Sequence, residues 1–276
     1  MSKVKVIAEL GINHNGNIDT AKKMIDVAHT AGCDFIKLQK RTIDLVYSKE
    51  ELYSKRESPW GTTFREQKEG LEFGFNEYNI IDRYCREKGI GWFASPWDLE
   101  SIEFLSSFKN CAYLKVPSAL ITNEEYLREC RKSPKQIILS TGMSTMGMVD
   151  NAVSILGMNK ISCIMHCTST YPSKPEELNL RCIDIFKLRY RWADIGFSNH
   201  NPGIIYMPIA VALGATWIEY HLTLDRSSYG SDQSASIEPE GAFKLNKYIR
   251  GVEKALGTGE KIIYESELPI IKKLRK

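Results

Sequence analysis

Short runs of β-branched and other apolar residues alternate with longer amphipathic stretches along almost the whole chain. The short runs predict strands at residues 4–9, 35–39, 91–95, 112–116, 136–141, 161–168, 194–198 and 217–221. The longer stretches predict helices at residues 19–31, 76–88, 99–108, 123–132, 150–156, 178–189, 204–213 and 239–256. Strand–helix alternation repeated eight times is typical of α/β proteins with a closed parallel sheet. We therefore predict a single-domain (β/α)8 TIM barrel.

An open, doubly wound sheet is the structural alternative, because it also alternates strands with helices. No G-x-G-x-x-G motif follows the first predicted strand. This weakens the dinucleotide-binding version of that alternative.

The segment 40–75 interrupts the alternation, because it separates the second strand from its helix by far more than an ordinary loop. It is charged and has an aromatic, glycine-containing centre, SPWGTTFR at 58–65. A long second βα loop of a barrel lies at its C-terminal face. We interpret the segment as an active-site lid, with Arg65 as a candidate cation. A surface excursion without a role is the alternative.

Composition and charge narrow the function classes. Lys and Arg number 37 against 34 Asp and Glu, and the formal net charge of +3 is too balanced to indicate nucleic acid or a membrane surface as a partner. No apolar run approaches the roughly 20 residues of a membrane span, and the first residues show no signal-peptide pattern. The seven cysteines include no C-x-x-C pair, as is typical of reduced, mostly buried thiols. We expect a cytoplasmic protein.

Every predicted strand ends in polar or ionisable residues, whereas six of the eight begin with an apolar residue or glycine. The strand-end residues are, in chain order, Glu9, Lys37, Gln39, Ser95, Lys115, Ser118, Ser140, Thr141, His166, Thr168, Ser169, Ser198, His200, Glu219 and His221. TIM-barrel enzymes carry their chemistry at the C-terminal ends of the strands. This one-sided pattern therefore predicts an enzyme.

Lys37 and Lys115 lie on two of these strands, and the hydroxyls of Ser95, Ser118 and Ser140 accompany them. Ammonium and hydroxyl groups around one mouth suit a small anion that carries phosphate and carboxylate. A Schiff-base lysine is the functional alternative, because some barrel aldolases carry such a lysine on a strand.

His200 and His221 end the two last predicted strands, which are neighbours in a barrel. Two neutral imidazoles suit a divalent metal ion whose other positions bind water and substrate oxygen. Glu9 and Asp232 are the carboxylates best placed to complete the metal shell, or to move a proton or bind a sugar hydroxyl. Glu219 stays open between a supporting and a structural role.

Nine motifs in order resemble the N-acetylneuraminate (sialic acid) synthase family. They are IAELGINHNG at 7–16, IKLQ at 36–39, FASPWD at 93–98, KVPSA at 115–119, STGM at 140–143, HCTSTYP at 166–172, GFSNH at 196–200, EYHLTLD at 219–225 and GSDQSASIEP at 230–239. The resemblance implies a (β/α)8 barrel that joins phosphoenolpyruvate to an open-chain aldose with Mn²⁺ or Mg²⁺. It also implies nine-carbon 2-keto-3-deoxy sugar acids as products.

The resemblance also implies roles for individual residues. Those matching the phosphoenolpyruvate-binding positions are Lys37, Ser95, Lys115, Ser118, Ser140, Ser169 and Ser198. His200 and His221 match the metal ligands. Glu9, Gln39, Tyr171 and Asp232 match residues around the reacting carbonyl and the sugar. Glu9 and the two histidines are therefore the expected catalytic groups.

The chain departs from the family pattern twice. Ala119 and Leu120 stand where many members have a Gly-Glu pair, so a carboxylate near the reaction centre is missing unless Glu9 supplies it. Family members typically continue into a small C-terminal antifreeze-like (SAF) domain that reaches the partner subunit's site. We expect residues 1–258 to form the barrel and 259–276 to be a tail where that domain's linker begins. A homodimer is a further expectation.

Two other functions stay open at this point. One is a related synthase that takes a phosphorylated aldose, as in the making of 3-deoxy-octulosonate phosphate. The other is an inactive barrel that serves as a binding subunit. Release of phosphate from phosphoenolpyruvate with free and phosphorylated aldoses distinguishes all three.

Overall fold

The computed structural model describes residues 3–275, which form a closed barrel of eight parallel strands with helices around it. The strands are β1 (Lys5–Gly11), β2 (Phe35–Lys40), β3 (Lys55–Ser58), β4 (Gly61–Thr63), β5 (Gly91–Pro96), β6 (Cys111–Val116), β7 (Gln136–Ser140), β8 (Ile161–Cys167), β9 (Asp194–Asn199) and β10 (Trp217–His221). β3 and β4 form a separate antiparallel hairpin, and β10 closes the barrel against β1. The TIM-barrel prediction is confirmed, and the open-sheet alternative is wrong.

Helices follow the barrel strands in chain order. They are α1 (Ile18–Ala31), α2 (Ile43–Val46), α3 (Lys49–Tyr53), α4 (Phe64–Leu71), α5 (Phe75–Lys88), α6 (Leu99–Ser107), α7 (Glu124–Lys132), α8 (Met146–Leu156), α9 (Cys182–Arg189), α10 (Tyr206–Ala212), α11 (Pro239–Leu256) and α12 (Leu268–Leu274). Among residues 3–275, none is both long enough and apolar enough to cross a bilayer.

Local signals set the helix limits. The Asn17 side chain accepts hydrogen bonds from the N–H groups of Asp19 and Thr20, and α1 ends where Gly32 adopts φ +86°. α9 starts four residues later than predicted. A 3₁₀ turn at Pro175–Glu177 and a left-handed Asn179 (φ +39°) precede it and keep the preceding residues out of the helix.

The lower half of the barrel interior is filled by aromatic rings. Phe35 stacks on Trp217 with ring centroids 5.9 Å apart, and Tyr113 contacts both rings edge-on at 5.7 and 5.4 Å. Side chains two residues apart on a strand share a face, so Lys37, Glu219 and Lys115 lie directly above these rings. Along the barrel axis, a layer of aromatic side chains is therefore followed directly by a layer of charged side chains. The aromatic layer fills the barrel below the charged one, and the C-terminal end remains open.

The segment 40–75 contains α2, α3, the β3–β4 hairpin and α4, and it packs beside the loops that follow β1 and β10. Phe73 stacks on His14 with ring centroids 4.0 Å apart, and the Gln67 amide donates a 2.6 Å hydrogen bond to the Tyr229 hydroxyl. The segment lies at the C-terminal end of the barrel, as predicted. It stands at one side of the mouth, and none of its residues lines the central cavity.

The last barrel helix, α11, ends at Leu256. Beyond it, residues 257–275 are almost entirely exposed and include α12. All seven cysteines are free thiols, and six of them are buried.

Candidate active site

A cavity of about 170 Å³ opens at the C-terminal end of the barrel strands. Twelve of the thirteen predicted site residues line it, namely Glu9, Lys37, Gln39, Ser95, Lys115, Ser118, Ser140, Ser169, Tyr171, Ser198, His200 and His221. Asp232 is not in the lining, but its Oδ2 lies 3.7 Å from His221 Nδ1 at the edge of the cavity. The structure therefore brings the predicted residues together.

A buried ionic network forms the floor of the cavity. Lys37 Nζ lies 2.9 Å from Glu9 Oε2 and 3.5 Å from Glu219 Oε1, and Lys115 Nζ lies 2.5 Å from the same Glu219 oxygen. Ser198 donates a 3.0 Å hydrogen bond to this oxygen as well. Two cations thus meet two carboxylates in a site that water barely reaches.

This pairing controls the charge state of the network. Burial opposes the charge of Glu219, but the ammonium groups of Lys115 and Lys37 outweigh that effect and lower its pKa to about 2. Burial also opposes the charge of Lys37, and Glu219 and Glu9 reverse it, so the pKa of Lys37 is raised. Among residues 3–275, Glu219 is the one carboxylate that pairs with Lys115, and burial lowers the pKa of Lys115 despite that carboxylate.

Glu9 is oriented by Gln39, whose amide donates a 2.8 Å hydrogen bond to Glu9 Oε1. The glycine at the end of β1, Gly11, leaves room for the hydrogen bond between Gln39 and Glu9. Gly11 has φ +51°, and a Cβ there would lie 3.1 Å from Glu9 Oε1 and 3.2 Å from the Gln39 amide nitrogen. The second Glu9 oxygen makes no hydrogen bond and faces the Lys37 ammonium.

Hydroxyl and backbone donors gather around Gly142, just after β7. The Gly142 N–H donates a 3.0 Å hydrogen bond to the Ser118 hydroxyl, and a Cβ on Gly142 would lie 2.1 Å from the Ser169 Oγ. A side chain at position 142 would therefore have to displace the hydroxyls of both serines. Small hydroxyls and a backbone N–H beside Lys115 form a suitable cradle for phosphate oxygens.

His200 and His221 lie side by side with ring centroids 5.4 Å apart. His200 Nδ1 is 2.6 Å from the carbonyl of Thr168, and a carbonyl only accepts, so Nδ1 carries the proton and Nε2 has a free lone pair. The Tyr171 hydroxyl occupies that lone pair at 2.9 Å. Burial, with the charge of His221 next, lowers the pKa of His200 to about 3 and keeps the imidazole neutral.

These features fit a divalent metal ion. Metal-binding histidines are neutral, and the N–H of their other ring nitrogen donates a hydrogen bond to a carboxylate, a backbone carbonyl or water, as His200 Nδ1–H does to Thr168. His221 Nδ1 is buried without a hydrogen-bond partner. Within residues 3–275, no group of three or more His, Cys, Asp or Glu side chains is arranged to hold a metal. The two imidazoles would therefore share the ion with water and substrate oxygens.

Two sequence-based expectations need correction, those for Arg65 and His166. Cys167 is buried, as expected for most of the thiols, and it also lines the cavity, with its Sγ 3.3 Å from the Ser118 hydroxyl. Arg65 does not reach the cavity, because it forms ion pairs with Asp44 and Glu69. His166 ends a strand but faces away from the cavity, and its Nε2 bonds to the carbonyl of Leu178.

Two further residues line the cavity. Trp97 was not singled out from the sequence, and Glu219, whose role the sequence left open between supporting and structural, pairs with both lysines. The alternation of side chains along a strand predicts which of them face the cavity. Cys167 is an even number of residues from the inward-facing Cys163 and therefore faces inward as well. His166 is an odd number of residues away and therefore faces outward.

The chain has clear relatives among known proteins. A family model described as the NeuB family matches residues 24–261. Human N-acetylneuraminate-9-phosphate synthase is 38% identical over 275 residues, which cover 98% of this chain and 76% of that protein. N,N'-diacetyllegionaminic acid synthase of Campylobacter jejuni is 35% identical, with 100% of this chain and 84% of that protein covered. The crystal structure of N-acetylneuraminic acid (sialic acid) synthetase from Leptospira borgpetersenii matches with a TM-score of 0.86 and 31% identity, covering 99% of this chain and 91% of that one.

Proposed function

The chain belongs to the NeuB family, and from this premise we propose that it joins phosphoenolpyruvate to the aldehyde of an open-chain, N-acetylmannosamine-like aldose with a divalent metal ion. It is a phosphoenolpyruvate-dependent synthase that forms a carbon–carbon bond. The proposed products are a sialic acid-like 2-keto-3-deoxy sugar acid and inorganic phosphate. Water supplies the oxygen of the new keto group.

One observation carries the proposal: two imidazoles and two ammonium groups converge on a single buried cavity. The Lys37 and Lys115 ammoniums, with the Ser118 and Ser169 hydroxyls, suit the phosphate and carboxylate of phosphoenolpyruvate. His200 and His221 line the same cavity beside these groups, so the aldehyde could meet C3 of phosphoenolpyruvate there. Fixing two reactants in one closed site supplies proximity and orientation.

His200 Nε2 and His221 would hold Mn²⁺ or Mg²⁺. The bound ion would supply Lewis-acid polarisation of the aldehyde oxygen. The Nδ1–H of His200 fixes that ring on the Thr168 carbonyl, and the Tyr171 hydroxyl, 2.9 Å from Nε2, would turn to a sugar oxygen when the metal binds.

Glu9 is the proposed proton acceptor. C3 of phosphoenolpyruvate bonds to the aldehyde carbon, and the aldehyde oxygen becomes an alkoxide. Water then adds at C2, and its proton passes to Glu9, which Gln39 orients. Glu9 returns that proton to the alkoxide, which becomes the alcohol. The C2–O bond to phosphate breaks, the C2 hydroxyl becomes the keto group as its proton passes to the departing phosphate, and phosphate leaves with the bridging oxygen. Gln39 and Asp232 border the volume left for the sugar.

The first experiment measures phosphate release from phosphoenolpyruvate across a panel of aldoses, with Mn²⁺, with Mg²⁺ and with chelator, and identifies the product by mass. We expect release that requires both an aldose and a metal ion. His200→Ala should lower turnover by orders of magnitude and should also weaken Mn²⁺ binding measured by calorimetry. If chelator-treated His200→Ala kept near-normal turnover, the proposed role of a metal ion bound by His200 would be wrong.

Two further measurements separate the alternatives. Phosphoenolpyruvate labelled with ¹⁸O in the bridging position should transfer the label to phosphate. Borohydride should not trap the enzyme with substrate, whereas a Schiff-base aldolase would be inactivated. An inactive barrel would release no phosphate with any aldose.

A further inference from the structure

Three cations of the segment 40–75 stand together at the edge of the cavity, and we call Arg41, Arg56 and Lys68 the rim cluster. Lys68 Nζ lies 4.7 Å from the ring centroid of Phe64 and 5.2 Å from that of Tyr47. The Arg56 guanidinium lies 5.9 Å from the same Phe64 ring. Aromatic faces hold cations in place without neutralising their charge.

The rim cluster adjoins the side of the cavity proposed for the sugar. The Arg41 guanidinium donates a hydrogen bond to Gln39 Oε1 and lies 4.6 Å from the Trp97 ring centroid, and both partners line the cavity. Lys68 is close enough to Asp232 for that carboxylate to raise its pKa. The cluster therefore begins where the cavity lining ends.

The positive charges of the rim cluster have no direct carboxylate partners among residues 3–275. Across residues 3–275, none of its three members forms an ion pair, whereas Lys40 and Arg65 of the same segment are paired with Glu72 and with Asp44 and Glu69. Burial, followed by repulsion from Arg41 and Arg56, lowers the pKa of Lys68 to about 8 against the opposing effects of Asp232 and Glu72. An anion placed among the three groups would relieve this repulsion.

Two unsatisfied donors belong to the contact between Arg41 and Trp97. Arg41 Nε and Trp97 Nε1 are buried and lack any hydrogen-bond partner. Such groups are costly unless a partner satisfies them. A phosphate offers several acceptor oxygens and two negative charges, and a guanidinium binds it through parallel N–H groups.

We infer that the rim cluster binds a phosphate on the acceptor sugar, so that the substrate is an aldose phosphorylated at the carbon remote from its aldehyde. This inference rests on the proposed function. The phosphate of phosphoenolpyruvate has its own cations in Lys37 and Lys115, so the rim phosphate is a second one. Phosphoenolpyruvate adds three carbons, so a phosphate on C6 of a six-carbon aldose becomes the 9-phosphate of the product.

The test compares matched acceptors with and without a terminal phosphate, beginning with N-acetylmannosamine and N-acetylmannosamine 6-phosphate. Phosphate release at saturating phosphoenolpyruvate should give a higher kcat/KM for the phosphorylated member. Lys68→Gln should lower that value about 10- to 100-fold and leave the free aldose unchanged. Lys68→Arg should restore most of the loss, because it returns the charge.

Arg65→Gln is the matched control. Arg65 lies on the same helix and loses the same charge, but it is already paired with Asp44 and Glu69. We expect no change for either acceptor, and no change in the KM for phosphoenolpyruvate in Lys68→Gln. Calorimetry of N-acetylmannosamine 6-phosphate binding provides a readout that does not require turnover.

The inference is overturned if the free aldose is used as well as its phosphate ester, or if Lys68→Gln lowers both activities equally. Failure of the proposed function looks different: no acceptor, free or phosphorylated, would release phosphate from phosphoenolpyruvate. Calorimetry could then still detect phosphate-dependent binding that Lys68→Gln abolishes, which would support the rim site alone.

Discussion

The floor and the rim of the cavity both carry cations, but they balance them differently. On the floor, Lys37 and Lys115 meet Glu9 and Glu219. At the rim, Arg41 and Lys68 have aromatic and amide neighbours and no ion-pair partner within residues 3–275. Both regions face the same cavity mouth, so the difference does not arise from location alone.

Solvent access explains the difference. A fully buried ammonium is unstable without a carboxylate beside it, so the floor needs built-in partners to keep both lysines charged before substrate arrives. A half-exposed cation is stabilised by water and tolerates the absence of a partner. The floor is therefore preorganised in advance, whereas the rim is completed by a ligand. The following predictions test this distinction, from the largest expected effect to the smallest.

Glu219→Gln should have the largest effect, because it removes the one carboxylate that pairs with Lys115 and one of two that pair with Lys37. Breaking a buried ion pair from one side costs about 3–5 kcal/mol of the free energy of unfolding. We also expect kcat/KM for phosphoenolpyruvate to fall by about 100-fold or more, because Lys115 would lose the carboxylate that opposes the lowering of its pKa by burial. Urea unfolding and phosphate release measure the two effects.

Glu240→Gln is the control for this change. Glu240 pairs with Lys244 on the exposed face of α11, where ion pairs contribute little. We expect no measurable change in stability or activity. If Glu219→Gln behaved like this surface control, the buried network would not be the feature that keeps the floor cations charged.

The second prediction concerns pH and the rim. Lys68 carries its charge only below its pKa of about 8, which burial and the charges of Arg41 and Arg56 set against Asp232 and Glu72. Its attraction for phosphate is therefore complete near pH 7 and lost as the pH rises through 8. For the phosphorylated aldose, kcat/KM should fall about 10-fold by pH 9, because this parameter reports the free enzyme.

Lys68→Arg isolates this effect, because arginine stays charged throughout the range. In that variant the alkaline decrease should disappear for the phosphorylated aldose. The free aldose provides the baseline for any other group that titrates. An unchanged decrease in Lys68→Arg would assign the titration to a group outside the rim.

The two regions also differ in how far sequence alone could describe them. The floor residues follow from two simple regularities, the two-residue repeat of a strand and the location of barrel chemistry at strand ends. Lys37, Lys115 and the two histidines were predicted on that basis. The pairing of Lys115 with Glu219 was not, because β6 and β10 are not neighbours and their side chains meet only across the closed barrel.

The rim lies in a segment with no repeating pattern, and sequence reasoning chose Arg65 as its cation. One signal argued against that choice: Glu69 follows Arg65 by four residues, which places the two side chains together on a helix surface. Glu72 follows Lys68 at the same spacing, but it caps the end of α4 and pairs with Lys40 instead. That pairing and the proximity of Lys68 to Arg41 depend on how the whole segment folds against the barrel. Local sequence does not encode that packing.

The smallest expected effect is that of salt, and it compares the two regions in one protein without a mutation. Raising the ionic strength from about 0.05 to about 0.5 M shortens the screening length severalfold, which weakens attraction to exposed charges far more than to buried ones. The KM for the phosphorylated aldose should therefore rise about three- to fivefold, whereas the KM for phosphoenolpyruvate should change by less than about twofold. Phosphoenolpyruvate is itself a multiply charged anion, so a general loss of anion binding would raise both values together. The free aldose, which carries no charge, reports any effect of salt on the protein fold. Equal salt dependence for the two anions would show that floor and rim cations experience the same solvent, and the distinction between a preorganised floor and a ligand-completed rim would then be wrong.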